Sequence, residues 1–320
     1  MNNTLELCKK PYNGDPSAHR ETYIGGSDAG TILGVNPYKS KYTLWAEKTG
    51  AIEVPDISNK AAVWWGTMEE DIVAKRFEIL ENKKVRKSNQ TYYLKEYPYI
   101  CAHVDRLIVG EKAGLECKTM TARNNIDLDG GNVPPQYYAQ CQHYMLCTGL
   151  PEWYIAIKRD NAELYVLKIE RDEDYITAML KEEISFWESV QKKEPPLIDG
   201  SYSTQQTINA LYPASDAVNT KDSPVFITSD ISEMLDSVKV IDESIHALET
   251  QKEAVISTIK DWMKDNTYAQ GERFKLRWNV VRGRKSIDTK KLKEEMPAVY
   301  EKYLKQGSDY RMFKYEEVKQ

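Results

Sequence analysis

Apolar positions along the chain fall into stretches of helical period and stretches of alternating period. Residues 22–34 read as a tight turn at Gly25-Gly26 that enters a short helix, capped by Ser27 or Asp28 and ended by Asn36-Pro37. A second helix over 41–49 stops at Gly50, and Val63, Met68, Ile72, Phe77 and Leu80 mark a longer one over 60–82. From Val85 the character changes. Three β-rich runs, around Tyr92, from Tyr99 to Val109 and from Gly114 to Met120, predict a meander. Pro134-Pro135 opens a helix that stops at Gly149. Two strands follow, at 153–159 and 162–170, with Asp160-Asn161 as their turn, and then a helix from Asp172 to Lys193. Helix, meander, helix, hairpin, helix is the order of a mixed α/β (α+β) core.

A polar stretch after Glu194-Pro195-Pro196 reads as a linker. Beyond it Ile231, Val238, Ile245 and Ile259 lie in one heptad phase, and Met234, Ile241, Leu248, Val255 and Trp262 in a second, with Lys252 the polar break. This is the a/d stripe of one long helix. It suits either packing on its own domain or a coiled-coil contact. Strands over 273–281 and near 283–288 and a helix over 289–304 complete the reading. The expected organisation is a domain over 1–200, a linker over 201–228 and an extension over 229–320.

Composition narrows the class. The 320 residues include 21 Tyr and 7 Trp, enough bulky apolar surface for a packed core and against a disordered chain. Mean hydropathy is −0.62, and no apolar run approaches the ~18 residues of a membrane span. The first residues lack the basic start and apolar stretch of a signal peptide, so a cytosolic protein is expected. Net charge is −5, so any attraction to nucleic acid must be local. The most basic stretch is Arg273 to Lys293, in which nine Lys and Arg face only Asp288, with Glu272 just before it. The five cysteines form no CxxC pair and read as free thiols, and the four His are scattered, so neither group suggests a zinc or iron–sulfur site.

The chemistry-bearing pattern is Asp105, then Glu116 and Lys118, a D-x(10)-E-x-K spacing. Glu116 and Lys118 share one face of a strand and Cys117 takes the other. If the strand of Asp105 is a neighbour, two carboxylates and an ammonium converge. Oxygen ligands of this kind suit Mg²⁺ or Mn²⁺, and a lysine beside a hydrated metal orients or deprotonates a water. An exposed ion pair would give the same spacing. The largely apolar neighbours of Glu116 favour a buried carboxylate, which needs a partner.

Five ordered blocks, at 24–45, 65–78, 100–107, 114–120 and 134–149, resemble the YqaJ viral recombinase family, phage and prophage nucleases similar to the lambda exonuclease. The resemblance covers roughly residues 20–195. It implies the PD-(D/E)xK restriction-endonuclease-like fold, a mixed sheet flanked by helices. It implies Mg²⁺-dependent, 5′-to-3′ degradation of one strand of linear duplex DNA in the bacterial host cytoplasm, leaving a 3′ overhang for a single-strand annealing protein. Asp105 and Glu116 match metal ligands and Lys118 the catalytic lysine. The backbone carbonyl of Cys117 and, through water, Glu70 complete the metal set, with two ions, Asp105 bridging them, and Mn²⁺ able to substitute. Glu70, four residues after Gly66, is the match in its helix, and Glu69 is not. Gln140 and Gln142 match a Q-x-Q helix beside the active site, which implies a catalytic role for Gln140 and a DNA or 5′-phosphate contact for Gln142. Arg20 and Ser27 match residues that hold the 5′-phosphate.

Plainer readings stand beside these. Ser27 and Asp28 suit simple caps, Glu70 suits surface charge, Gln140 and Gln142 suit helix-surface polars, and His103 suits a structural hydrogen bond. A homo-oligomer is expected, with a ring of three as one form; the tail beyond about residue 200 has no counterpart in the shorter lambda-type nucleases that close into such rings, and so puts that form in question. Cas4-like nucleases carry cluster-binding cysteines late in the chain, whereas the last one here is Cys147. The competing functions are a structure-specific endonuclease of the same fold and a non-catalytic DNA-binding assembly subunit.

Overall fold

The computed structural model describes residues 5–12, 19–121, 126–160, 164–218 and 224–316. The chain divides into two units, Met1–Tyr212 and Pro213–Gln320.

The first unit is mixed α/β. Its centre is a five-stranded sheet in the order β2 (Val85–Lys87), β5 (Arg106–Ile108), β6 (Ala113–Met120), β7 (Glu152–Arg159), β8 (Leu164–Glu170). A smaller sheet joins β1 (Leu7–Pro11), β3 (Gln90–Leu94) and β4 (Cys101–His103). Only β6 and β7 run parallel within the five-stranded sheet, and the crossover between them carries α4 (Pro135–Thr148). β7 is buried on both faces. Trp153, Ile155 and Ile157 join the cluster on the α4 side, while Tyr154 and Ala156 meet Val73, Ala74 and Phe77 of α3 (Ala61–Glu81). The sheet is thus sandwiched between helices, as the apolar pattern implies. The helices α1 (Gly26–Ile32), α2 (Lys41–Lys48) and α5 (Glu173–Lys192) also belong to this unit.

Several expectations need correction. The run from Tyr99 to Val109 is not one strand. It breaks at Val104-Asp105, with β4 in one sheet and β5 in the other. β1 carries no periodic signal, and it forms because its backbone pairs with β3 from Leu7↔Leu94 to Pro11↔Gln90. The α1 helix starts at Gly26 with Gly25 as N-cap, and the Asp28 carboxylate accepts the Gly25 N–H from the third helical position. Asp160, at φ 46°, begins the turn between β7 and β8, whereas Asn161 and the first two residues of the predicted second strand lie outside the described residues.

The polar stretch taken as a linker contains a helix, α6 (Tyr202–Leu211). Its Ser and Thr hydroxyls face inward. Thr204 Oγ1 bonds Ser40 Oγ at 2.8 Å, and Thr43 Oγ1 bonds Ser203 Oγ and Thr207 Oγ1 at 2.7 and 2.8 Å. Thr204 and Thr207 are buried, so a composition that reads as solvated is internally paired, and the first unit runs to Tyr212 rather than to residue 200.

The second unit is dominated by α7 (Ser229–Met263), the predicted long helix. Its apolar stripe is not covered by its own unit. Ile241 and Leu248 are 56% and 63% exposed, and Met263 alone is buried along the helix. A hairpin follows, β9 (Tyr268–Gln270) with β10 (Lys275–Arg277). The predicted strand over 273–281 shrinks to β10, and none forms at 283–288. The predicted helix over 289–304 is two, α8 (Thr289–Glu295) and α9 (Pro297–Tyr303). Pro297 lacks the N–H that would continue the first and pushes Met296 out of helical geometry.

Candidate active site

The break at Asp105 builds the site. The chain leaves the smaller sheet at His103 and enters the larger at Arg106, and Asp105 occupies the corner between them. Arg106 and Leu115 are partners in the β5–β6 ladder, which brings Asp105 beside Glu116. Along β6, Leu115 and Cys117 take the α3 side, and Glu116 and Lys118 point the other way, toward α4. One cleft is lined by Asp105, Glu116, Lys118, Gln140 and Glu70, with Arg20, Ser27, His103 and Tyr144 around it.

Glu116 is 2% exposed. Its Oε1 accepts hydrogen bonds from Gln140 Nε2 at 2.7 Å and from Lys118 Nζ at 2.5 Å. Its Oε2 is buried and without a partner among the described residues. A buried carboxylate oxygen left unpaired is costly, and a cation relieves that cost. The Asp105 carboxyl is pushed well above the usual carboxylate range by burial and by the neighbouring charges of Glu116 and Glu70, with Lys118 opposing them. Among the described residues no three His, Cys, Asp or Glu side chains lie close enough to hold a metal by themselves. What the cleft offers is the Asp105–Glu116 pair, an oxygen-only donor set suited to a hard divalent cation.

Lys118 is protonated. Burial works against the charge, but Glu116 and Asp105 outweigh it and raise the ammonium above its usual value. Its Nζ also lies 5.2 Å from the centroid of the Tyr137 ring. A lysine held as a cation in this way is placed to orient a water or to steady a developing anion.

Glu70 is in the cleft but engaged, its Oε1 accepting from Arg106 Nη1 at 2.6 Å. Arg106 also donates to Asp71 and is 3% exposed. Glu69 turns away to pair with Lys158 at 2.9 Å. Arg20 Nη2 donates to Ser27 Oγ at the start of α1. His103 Nε2 pairs with Thr91 Oγ1 at 2.9 Å while its ring still lines the cleft. Gln142 is not brought to the site. It is fully buried, donates to Glu170 O and accepts from the Asp172 N–H, and so ties β8 to the start of α5. Gln140 and Gln142 lie two positions apart on α4, which puts them on opposite faces.

The profile of the YqaJ-like viral recombinase domain matches residues 17–151. The uncharacterized protein YqaJ of Bacillus subtilis (strain 168) is 38% identical over 303 residues, 93% of this chain and 92% of that protein. The chain belongs to the YqaJ-like viral recombinase family. An alignment that covers 93% of this chain includes most of the C-terminal unit, so most of that unit is shared with the Bacillus protein. A shorter similarity, 46% over 55 residues, links 17% of this chain to 15% of protein D345L of African swine fever virus. Among solved structures, the alkaline exonuclease LHK-Exo of Laribacter hongkongensis superimposes with a TM-score of 0.47 at 21% identity, covering 55% of this chain and 91% of that one.

Two contributors escape the sequence. Arg106 follows Asp105 directly and reads as an ordinary strand residue, yet it fixes Glu70. Tyr144 stands one helical turn after Gln140, and the Gln140 Nε2 bonds its hydroxyl at 2.6 Å. The one available signal is Gly26. A Cβ there would lie 2.5 Å from the Tyr144 ring, so glycine is what lets α1 approach.

Proposed function

We propose that this chain is a metal-dependent deoxyribonuclease of phage-type recombination. It digests one strand of linear duplex DNA from the 5′ end, in the bacterial cytoplasm, and leaves a 3′ overhang for a single-strand annealing protein. The observation that carries the reading is the buried, unpartnered Oε2 of Glu116 beside Asp105 and Lys118 in an open cleft. Membership of a viral recombinase family supports the DNA substrate.

Asp105, Glu116, the Cys117 main-chain carbonyl and, through water, Glu70 would hold Mg²⁺, or Mn²⁺ in its place, with Asp105 shared if two ions bind. The metal supplies a water of lowered pKa and neutralises charge on the scissile phosphate. Lys118 orients that water and faces the charge that develops. Gln140 keeps Glu116 aimed into the cleft, and Arg106 does the same for Glu70. Arg20 and Ser27 take the 5′-terminal phosphate, a guanidinium and a hydroxyl being a suitable pair for it. Gln142 has no DNA contact in this reading.

The test is digestion of linear against closed circular duplex with Mg²⁺ and with chelator. An exonuclease cuts only the linear form and stops with chelator. Cleavage of the closed circle would replace the reading with an endonuclease. Glu116→Gln abolishes hydrolysis if the assignment holds. The proposal includes self-assembly, for which the sedimentation mass of the full chain is the measurement.

A further inference from the structure

Lys48 is the one buried lysine among the described residues, and neither the metal cleft nor the family pattern accounts for it. It ends α2, and its side chain is 3% exposed. Its ammonium reaches Arg20 O at 2.5 Å, Tyr23 O at 2.6 Å and Asp28 Oδ2 at 2.8 Å. An ammonium has three donors, and here all three are used. Lys48 therefore has nothing left with which to hold a ligand, although it lines the cavity of about 250 Å³ that Arg20 and Ser27 share with the cleft.

Its three acceptors lie on the structures that carry those two residues. Arg20–Thr22 is a single 3₁₀ turn, preceded by His19 in the left-handed region at φ 56°. Such a segment has little hydrogen bonding of its own to fix it. Asp28 ties the other side, accepting the Gly25 N–H at 3.1 Å and lying 3.7 Å from Arg20 Nη2. Lys48 so joins the backbone of Arg20 to the helix that presents Ser27.

We propose that Lys48 is a positioning residue for recognition of the DNA end: it presets Arg20 and Ser27 so that the enzyme discriminates a 5′-phosphate from a 5′-hydroxyl. This rests on the reading above that Arg20 and Ser27 receive the terminal phosphate. A preset guanidinium meets the phosphate without first being ordered, and that difference appears as selectivity.

The experiment compares initial rates on one linear duplex bearing either a 5′-phosphate or a 5′-hydroxyl, using the full chain with Mg²⁺. A charge-assisted contact corresponds to a wild-type ratio of roughly 10- to 100-fold. Arg20→Ala should collapse the ratio toward one. Lys48→Met keeps the stem and removes the donors, and should collapse it to the same extent, with no further loss in the double variant. Retention of the wild-type ratio by Lys48→Met, whatever happens to its overall rate or melting temperature, makes Lys48 a structural residue only and overturns the proposal. Should Lys48→Met fail to fold, Asp28→Asn carries the same test: a reduced ratio supports the proposal and an unchanged one overturns it. A wild-type ratio of one overturns the end-recognition reading itself, and Lys48's role with it. That outcome differs from a wild-type preference that survives Lys48→Met.

Discussion

Replacing Lys118 by methionine separates stability from chemistry at the cleft. The ammonium lies 2.5 Å from Glu116 Oε1, and the Glu116 side chain is only 3% exposed. Removing one partner of a buried pair costs about 3–5 kcal/mol, because the other charge stays buried alone. Lys118 is 24% exposed, and water screens part of the attraction, so the low end, about 3 kcal/mol, applies. For a unit of this size each kcal/mol moves the melting temperature by about 2–4 °C, which gives a fall of about 6–12 °C in metal-free protein. A divalent cation restores the missing positive charge. Mg²⁺ should therefore raise the melting temperature of Lys118→Met more than that of the wild type, while turnover falls about 10²-fold or more. Thermal denaturation with Mg²⁺ and with chelator, run beside a nuclease assay, measures both. An unchanged melting temperature with an unchanged Mg²⁺ increment would refute the pairing, and near-wild-type turnover would refute the role in catalysis.

Other outcomes follow from the same geometry. Gly114→Ala would place a Cβ 2.3 Å from the buried Trp153 indole, an overpacking cost of about 1–3 kcal/mol, so the melting temperature should drop by several degrees and a drop below one degree contradicts the packing. His143 Nδ1 lies 2.7 Å from Glu183 Oε1 with both side chains fully buried; burial lowers the imidazole's pKa, but Glu183 and Cys147 raise it further, to well above its ordinary value. A raised folded value means that this stabilisation is complete below the ordinary imidazole range near ~6.5 and is lost as pH rises through the folded value. Wild-type melting temperature should accordingly fall more steeply above neutral pH than that of the His143→Gln/Glu183→Gln double variant, and parallel curves would rule this out. A chain ended at Ala217 keeps the whole first unit and should still cut linear duplex with Mg²⁺. Having lost the basic stretch from Arg273 to Lys293, it should release DNA sooner and show a shallower log–log salt slope, and identical slopes would remove that stretch from DNA binding.

The residues legible in advance were those whose placement depends on one element's period. Glu116 and Lys118 share a face because strands alternate, and the 35-residue α7 was legible because its heptads recur along it with Lys252 as the one polar break. What stayed hidden depends on neighbours. The break at Asp105 is set by the demand of two sheets on one short run, and nothing in its apolar pattern announces it. Gln142 was brought to the site by the motif resemblance alone, whereas a two-residue spacing on a helix divides faces. The hydroxyls of α6 looked solvated because composition does not reveal that Ser40 and Thr43 are waiting to pair with them. Arg106 was overlooked because its partners, Glu70 and Asp71, lie more than thirty positions earlier in the chain.

The corner at Asp105 also bears on when, in a growing chain, the cleft can first assemble. During synthesis, Glu70, Asp105 and Glu116 leave the ribosome before Gln140, and the strand that flanks Glu116 on its other side, β7, comes later still. A fragment ending short of that strand lacks one of the two ladders that hold β6 and its Glu116, so the cleft is completed only late in synthesis. The same arrangement sets how activity is lost. Peeling the smaller sheet away displaces Asp105 and also opens the cluster to which Leu94, Ile100 and Ala102 belong, so the proposed activity and that core should be lost together in heat or mild denaturant.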